Sequence, residues 1–287
     1  MASRNPHASP QLLPHLGGDL SQISIGERAD RMMEAAMATT TASEKVRAAR
    51  IDLAAAHRLA VRDGLSEGTW NHLTLTHPED DERMLMTPPD THWSQVTASS
   101  LLDVGPEFDP HGSAWVAYRI HRPVHAARPD ARCVLHVHSP AVVALSMLKD
   151  CRLRMVEQSA LGFYGRYAVT EEFDGLQDAN TDQGKVMAEA LGDHCNVLFL
   201  RNHGAVVTGP TVGRAYVELY ALERTCNAQM LALATGLPLN ELSEEQLATF
   251  VRRTREDEEE HGMTATLDQS FEGMKRVLDA SEPDYRD

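Results

Sequence analysis

Two short stretches that each end an apolar run constrain this chain most. Arg132–Ser139 reads Arg-Cys-Val-Leu-His-Val-His-Ser, and Asn-His-Gly at Asn202–Gly204 follows the apolar run Val197–Leu200. Side chains on a strand alternate faces with period two, so His136 and His138 point the same way from the end of a buried strand. His203, at the end of a second buried strand, can supply a third imidazole. Three neutral imidazoles converging on one point form a site for one divalent transition metal: Zn, Fe, Mn or Co. A metal held by three side chains keeps open positions, which is the arrangement of a catalytic rather than a structural site.

The surrounding pattern predicts an α/β fold. Thr41 and Glu44 have capping-box spacing, and Val46, Ala49, Leu53, Ala56 and Ala60 recur at helical spacing. Short strands are expected at His72–Thr76 and Met84–Thr87, and a helix over Ala114–Ala127 despite Pro123. Arg132–His138 reads as a buried strand. Ser139 and Pro140 then make an N-cap and first-turn pair for a helix over Ala141–Lys149. Val197–Leu200 reads as another strand, with Gly204 providing a sharp turn. The longest helix is expected over Thr211–Thr235. Helices alternating with strands in this way imply a mixed sheet covered by helices. Three segments result: a loosely attached tail over 1–40, a main domain over 41–240, and a charged helical extension over 241–287. The run Arg252–Glu260 is read as a solvated helical face.

Composition excludes several function classes. The formal charge of −15 argues against general nucleic-acid binding, which needs a basic footprint. No apolar stretch approaches the roughly 18 residues of a membrane span, and the N-terminus lacks a basic-then-apolar signal pattern. A cytoplasmic enzyme with a small-molecule substrate, no nucleic acid and no membrane is expected. Cys133, Cys151, Cys195 and Cys226 form no CxxC pair and read as small core residues in a reducing compartment.

At Arg128-Pro129-Asp130-Ala131, His136-Val137-His138-Ser139, Arg201-Asn202-His203-Gly204 and Gly209-Pro210-Thr211 the chain resembles the class II aldolase/adducin family. The resemblance runs from about Glu44 to about Gly236. It implies a three-layer α/β/α class II aldolase-like fold with a central mixed, largely antiparallel sheet. It also implies a metal site near a subunit boundary, often in a homotetramer, with His136, His138 and His203 as the metal ligands. The departures are informative. Where the family's sugar-phosphate aldolases carry an acid/base Glu, this chain has Ala117. Their phosphate-holding Gly-Asn-x-Ser loop and Thr-Pro-Ser-Gly turn fall on Asn71-His72-Leu73-Thr74 and Thr87-Pro88-Pro89-Asp90. Pro89 offers neither N–H nor hydroxyl, and Asp90 adds a repelling charge, so a phosphorylated substrate is disfavoured. The segments around Asn71, His121-Arg122-Pro123-Val124-His125 and Gln158–Tyr167 resemble the adducin-like bacterial branch.

Catalytic candidates follow. His72 sits where the family's phosphate-loop Asn stands. Tyr164 and Arg166 could supply a proton donor and a carboxylate clamp. His121 and His125, four apart, share a helix face and read as polar neighbours of the site rather than ligands. Trp70, Trp93 and Trp115 read as core or interface anchors. The function expected is a divalent-metal-dependent lyase, with Fe, Zn or Mn. It would act by aldol-type cleavage or decarboxylation on a small non-phosphorylated carbonyl or aromatic carboxylic acid. The rivals are a non-haem Fe(II) oxygenase acting on an aromatic or 2-oxo/2-hydroxy acid, and a non-catalytic adducin-like binding protein.

Overall fold

Period-two alternation in the strands decides the layers. The computed structural model describes residues 25–108, 113–170, 182–262 and 265–287. Its seven strands are β1 (His72–His77), β2 (Asp80–Met86), β3 (Leu102–Val104), β4 (Cys133–Val137), β5 (Tyr167–Val169), β6 (Val197–Leu200) and β7 (Gly204–Gly209). They form one sheet in the order β3-β2-β1-β4-β7-β6-β5. Every pairing is antiparallel except β5 with β6. The mixed, largely antiparallel sheet is the one expected.

Cys133, Leu135, Val137, Val197, Phe199, Ala205 and Val207 face one core, and Val134, Leu198, Leu200 and Val206 face the other. The first core is closed by residues of α1 (Ile25–Arg62) from Ile51 onward, and by α3 (Pro140–Ser146), α6 (Val212–Ala234) and α8 (Ala265–Ser281). The second is closed by α2 (Ser113–Ala127) and α5 (Gln183–Leu191). Helices therefore lie on both faces of the sheet. Pro123 does not break α2. It removes the N–H that would bond Arg119 O, and the Gly184 backbone of α5 packs there: a Cβ on Gly184 would lie 2.5 Å from that oxygen.

Some boundaries differ from expectation. α1 starts at Ile25, not at Thr41. The Ala-rich stretch before Thr41 carries enough helix propensity to continue the helix, so no cap is needed there. Contacts divide the chain into Met1–Ser43 and Glu44–Asp287. In the first unit the described part is helical backbone from Ile25, and Met1–Ser24, where an extended tail was expected, lies outside the described residues. The second unit shows no break at 240. The run Arg252–Glu260 lies exposed on α7 (Glu244–His261), as read from its charge. Phe271, Leu278 and Tyr285, however, belong to the main core. Lys275 of α8 is buried, with Nζ 2.6 Å from Asp52 Oδ1 of α1 and 2.7 Å from Glu272 Oε1. The four cysteines are buried and free.

α3 follows His138 directly, and its N-terminus is capped differently from expectation. Ser139 takes the N-cap position but makes no capping hydrogen bond. The carboxylate of Glu223, from α6, accepts from the N–H groups of Ala141 (2.9 Å) and Val142 (3.0 Å) instead. An anion there satisfies two orphan donors at once, which a serine hydroxyl cannot.

Candidate functional site

β4 ends at Val137, so His136 and His138 project from its last turn of alternation on the side covered by α2. His203 comes from the three-residue connection between β6 and β7. The residue that reverses the chain there is Asn202, whose φ of 57° lies in the left-handed region that asparagine tolerates. Gly204 was expected to make the turn. It serves instead as the close-approach residue, since a Cβ on it would lie 2.3 Å from Val137 O and 3.1 Å from His138 Cδ2. The absent side chain lets β7 run tight against β4 and brings His203 beside His138.

The three imidazoles converge through Nε2. His138 Nε2 lies 3.0 Å from His136 Nε2 and 2.8 Å from His203 Nε2. The other nitrogens fix the tautomers. His136 Nδ1 is 3.1 Å from Ala205 O, and a carbonyl only accepts, so Nδ1 carries the proton. His138 Nδ1 donates to Glu67 Oε2 at 2.6 Å. Both Nε2 atoms therefore carry lone pairs aimed at each other, an arrangement that repels until a cation stands between them. Burial, then the neighbouring imidazoles, pushes the His136 pKa well down, which keeps this ring neutral and ligand-competent. Separations near 3 Å are those of nitrogens each about 2.0–2.1 Å from one ion. The donor set fits a divalent transition metal, and a ring N–H held by a carboxylate or carbonyl is the usual support for such ligands. Glu67 was not found from the sequence. It lies in the loop after α1, and nothing in its local pattern marks it.

His72 joins the group through sheet register. It pairs with His136 across β1 and β4, and the ring centroids lie 5.1 Å apart. Burial, then His138 and His203, lowers its pKa to about 3. Its Nδ1 is buried without a hydrogen-bond partner among the described residues. Behind it, His121 and His125 lie on one face of α2, as their spacing implied. His125 Nδ1 donates to Ala131 O (2.9 Å), so its Nε2 must accept from the Thr74 hydroxyl (2.8 Å). That commits the only hydroxyl proton, so His121 Nδ1 donates to Thr74 Oγ1 (2.7 Å). The carbonyl of Ala131 thus sets the tautomers of two histidines through one threonine. His121 Nε2 is left buried with its lone pair unpartnered among the described residues.

Tyr164 and Arg166 do not join this arrangement. Tyr164 donates to Glu244 Oε2 of α7 at 3.2 Å, and Arg166 lies 3.2 Å from Glu218 Oε1 of α6. Burial raises the Glu218 pKa against the opposing pull of Arg166. The catalytic assignment of both residues rested on the local resemblance of Gln158–Tyr167, and long-range packing commits them elsewhere. Ala117, in contrast, lines a cavity together with His72, Thr87, Pro88, Pro89 and Trp93. The position of the missing Glu and the altered phosphate turn therefore share one wall beside the histidines. Trp93 is buried as a core anchor, whereas Trp70 is 71% exposed and anchors no core. The Trp115 side chain lies outside the described residues.

Residues 51–230 match the model of the class II aldolase and adducin N-terminal domain. Rat alpha-adducin is 35% identical over 195 residues, which cover 65% of this chain and 26% of that protein. The chain thus spans about a quarter of the length of the adducins it matches. The solved structure of an aldolase II superfamily protein from Pseudomonas syringae is 31% identical, with a TM-score of 0.74, covering 85% of this chain and 96% of that one. L-fuculose 1-phosphate aldolase from Glaciozyma antarctica PI12 shares the fold, with a TM-score of 0.69 at 23% identity over 85% of this chain and 93% of that one.

Proposed function

Since the chain belongs to the class II aldolase and adducin family, we propose that it is a divalent-metal-dependent lyase acting on a small non-phosphorylated carbonyl compound or carboxylic acid. The observation that carries this reading is the convergence of three Nε2 atoms, two of them with their Nδ1 protons committed to Ala205 O and Glu67. His136, His138 and His203 would hold the ion, with Glu67 and the Ala205 carbonyl fixing ring orientation. When bound, such an ion polarises a carbonyl or carboxylate oxygen and lets negative charge build up beside it, which serves aldol-type cleavage and decarboxylation alike.

The chain's own residues supply the rest. Ala117 moves no proton, and Tyr164 and Arg166 are engaged with Glu244 and Glu218. His72, stacked on His136 and lining the cavity, is the polar group placed to orient the substrate or handle its proton. Leu73, Met86 and Trp93 give the same cavity its apolar wall. The family resemblance further implies that the protein would act as a homo-oligomer, most simply a tetramer, which solution mass measurement tests.

The decisive experiment is the metal content of protein purified without added metal, combined with turnover of hydroxy- and oxo-acids in the presence and absence of O₂. Zinc or manganese with oxygen-independent turnover supports the lyase. Iron with strictly O₂-dependent turnover replaces it with a non-haem Fe(II) oxygenase. A metal that raises the melting temperature but supports no turnover replaces it with an adducin-like binding role.

A further inference from the structure

α3 carries a cap in its own sequence and does not use it. Ser139 stands at the N-cap position, 1% exposed, with Oγ unpartnered among the described residues. An N-cap serine serves the N–H of the second or third helical residue, here Ala141 or Val142. Both of those donors go to Glu223 of α6 instead, one to each carboxylate oxygen: Oε1 at 2.9 Å and Oε2 at 3.0 Å. A serine cap ties a helix only to the residue before it. The carboxylate ties α3 to the core, because Leu219, Leu222 and Cys226, on the same helix as Glu223, are fully buried. Both bonds are charge-assisted, and the negative charge lies at the favourable end of the helix dipole.

The other end of α3 is tied as well. The Ser146 carbonyl, in the last turn, accepts the Asn202 N–H at 3.1 Å. Asn202 is the left-handed residue that reverses the chain between β6 and β7, and His203 follows it. Val142 and Leu145, both fully buried, seat the helix between its two ties. α3 is therefore a strut, seven residues or about 10 Å long. It begins two residues past His138, and its last residue holds the one before His203. The Nε2 atoms of those two histidines meet at 2.8 Å, and metal–nitrogen distances tolerate only roughly ±0.2 Å. A small displacement of the strut therefore matters at the ion. We infer that Glu223 is a positioning residue for the metal centre, acting through α3 on His138 and, through the Ser146–Asn202 bond, on His203. This role deepens the proposed function and rests on its assignment of the three histidines as ligands. It separates from plain capping in one respect. Without Glu223, Ser139 is in place to cap α3 again, so the helix keeps a cap but loses its tie to α6.

Three variants of the full chain separate positioning from stability. Glu223→Ala removes the tie. Glu223→Gln keeps the length and one accepting oxygen, and so one of the two bonds. Ser243→Ala removes the N-cap that accepts the Gln246 N–H of α7, a helix that supplies no ligand. Each is titrated with Zn²⁺ against a chromophoric chelator, and with Co²⁺, whose visible absorption reports the number and geometry of its ligands. Thermal melting and amide hydrogen exchange are followed on the metal-free proteins. Glu223→Ala should bind Zn²⁺ at least about tenfold more weakly than wild type, the lower end of what lost ligand support costs. Its Co²⁺ spectrum should change, and the Asn202 amide should exchange faster. Glu223→Gln should fall between it and wild type. Ser243→Ala should melt earlier than wild type and yet bind Zn²⁺ as tightly. Unchanged affinity or unchanged Asn202 exchange in a folded Glu223→Ala protein would overturn the inference, as would an equal loss of affinity in Ser243→Ala. If the alanine variant does not fold, the same results in Glu223→Gln overturn it. Wild-type protein that binds neither ion removes the metal centre and this role with it, whereas wild-type binding that the Glu223 variants leave unchanged removes the role alone.

Discussion

Replacing Gly204 by alanine is the sharpest test of how the histidines are brought together. The added Cβ would lie 2.3 Å from Val137 O, whereas real Cβ atoms do not come within 3.0 Å of a neighbour. Both groups are backbone-anchored in paired strands, so β7 and β4 must separate by at least the difference, about 0.7 Å. His138 follows Val137 directly and His203 precedes Gly204, so the separation opens the gap between their Nε2 atoms, now 2.8 Å. Metal–nitrogen distances tolerate roughly ±0.2 Å, so a shift several times larger removes one ligand from the ion. The expected loss in metal affinity is at least about tenfold, the lower end of what disturbed ligand support costs. Overpacking itself costs about 1–3 kcal/mol, or roughly 2–8 °C in the metal-free melting temperature. Gly162→Ala is the control, because its Cβ would meet only Ser159 O at 3.3 Å. Affinity is read by competition with a chromophoric chelator, and stability by calorimetry. A folded Gly204→Ala protein that binds metal as tightly as the wild type would show that this close approach does not position the site.

Acid should destabilise the fold through its buried neutral histidines. His57 and His125 have pKa values lowered to about 4 by burial. The unfolded chain, with values near 6.5, binds their protons first as pH falls, so this stability is complete above about pH 6.5 and is lost progressively towards pH 4. Each group contributes up to about 1.4 kcal/mol per pH unit, and only half of that at its unfolded pKa, so urea titrations at pH 6.5 and 5 should differ by about 3 kcal/mol from the two. A flat profile would refute the reading that His57 and His125 are held neutral by burial. Thr74→Val breaks the bonds to His121 and His125 together and should cost about 2–4 kcal/mol in the same assay, while Thr74→Ser restores most of it. Wild-type protein and Ala117→Glu should both fail to cleave fuculose, rhamnulose and ribulose phosphates, because the glutamate does not rebuild the anion-binding turn. Turnover near ~1 per second by either would show that the cradle was misread.

What the sequence revealed depended on whether the information was local. β6 is Val197–Leu200 in both readings because four consecutive buried residues leave no choice of face. β7 was missed because Gly204 was assigned to the turn, while the left-handed residue is Asn202. His136, His138 and His203 were visible as the ends of apolar runs. His72 was visible only by resemblance, since its place beside His136 is set by the register of β1 on β4, a long-range fact. Glu67 was invisible for the same reason. Tyr164 and Arg166 were proposed from a local likeness, and their pairing with Glu244 of α7 and Glu218 of α6 is again a long-range fact that no local pattern carries.

The closure of the core by Phe271, Leu278 and Tyr285 bears on how the chain is made. Tyr285 is fully buried, its carbonyl accepts from Ala98 N–H at 2.9 Å, and Asp287 O accepts from Ser99 N–H at 2.7 Å. Arg58, buried near the start of the domain, pairs with Glu282 and Asp284. All three histidines have left the peptidyl-transferase centre about 80 residues before Tyr285 is added, some 4–16 s at ordinary elongation rates. During that interval the nascent chain carries all three candidate ligand histidines on a domain whose apolar interior is still open to solvent. Elongation speed over 205–285, set by codon choice, and the chaperones that hold the ribosome-bound chain therefore bear on the yield of functional protein.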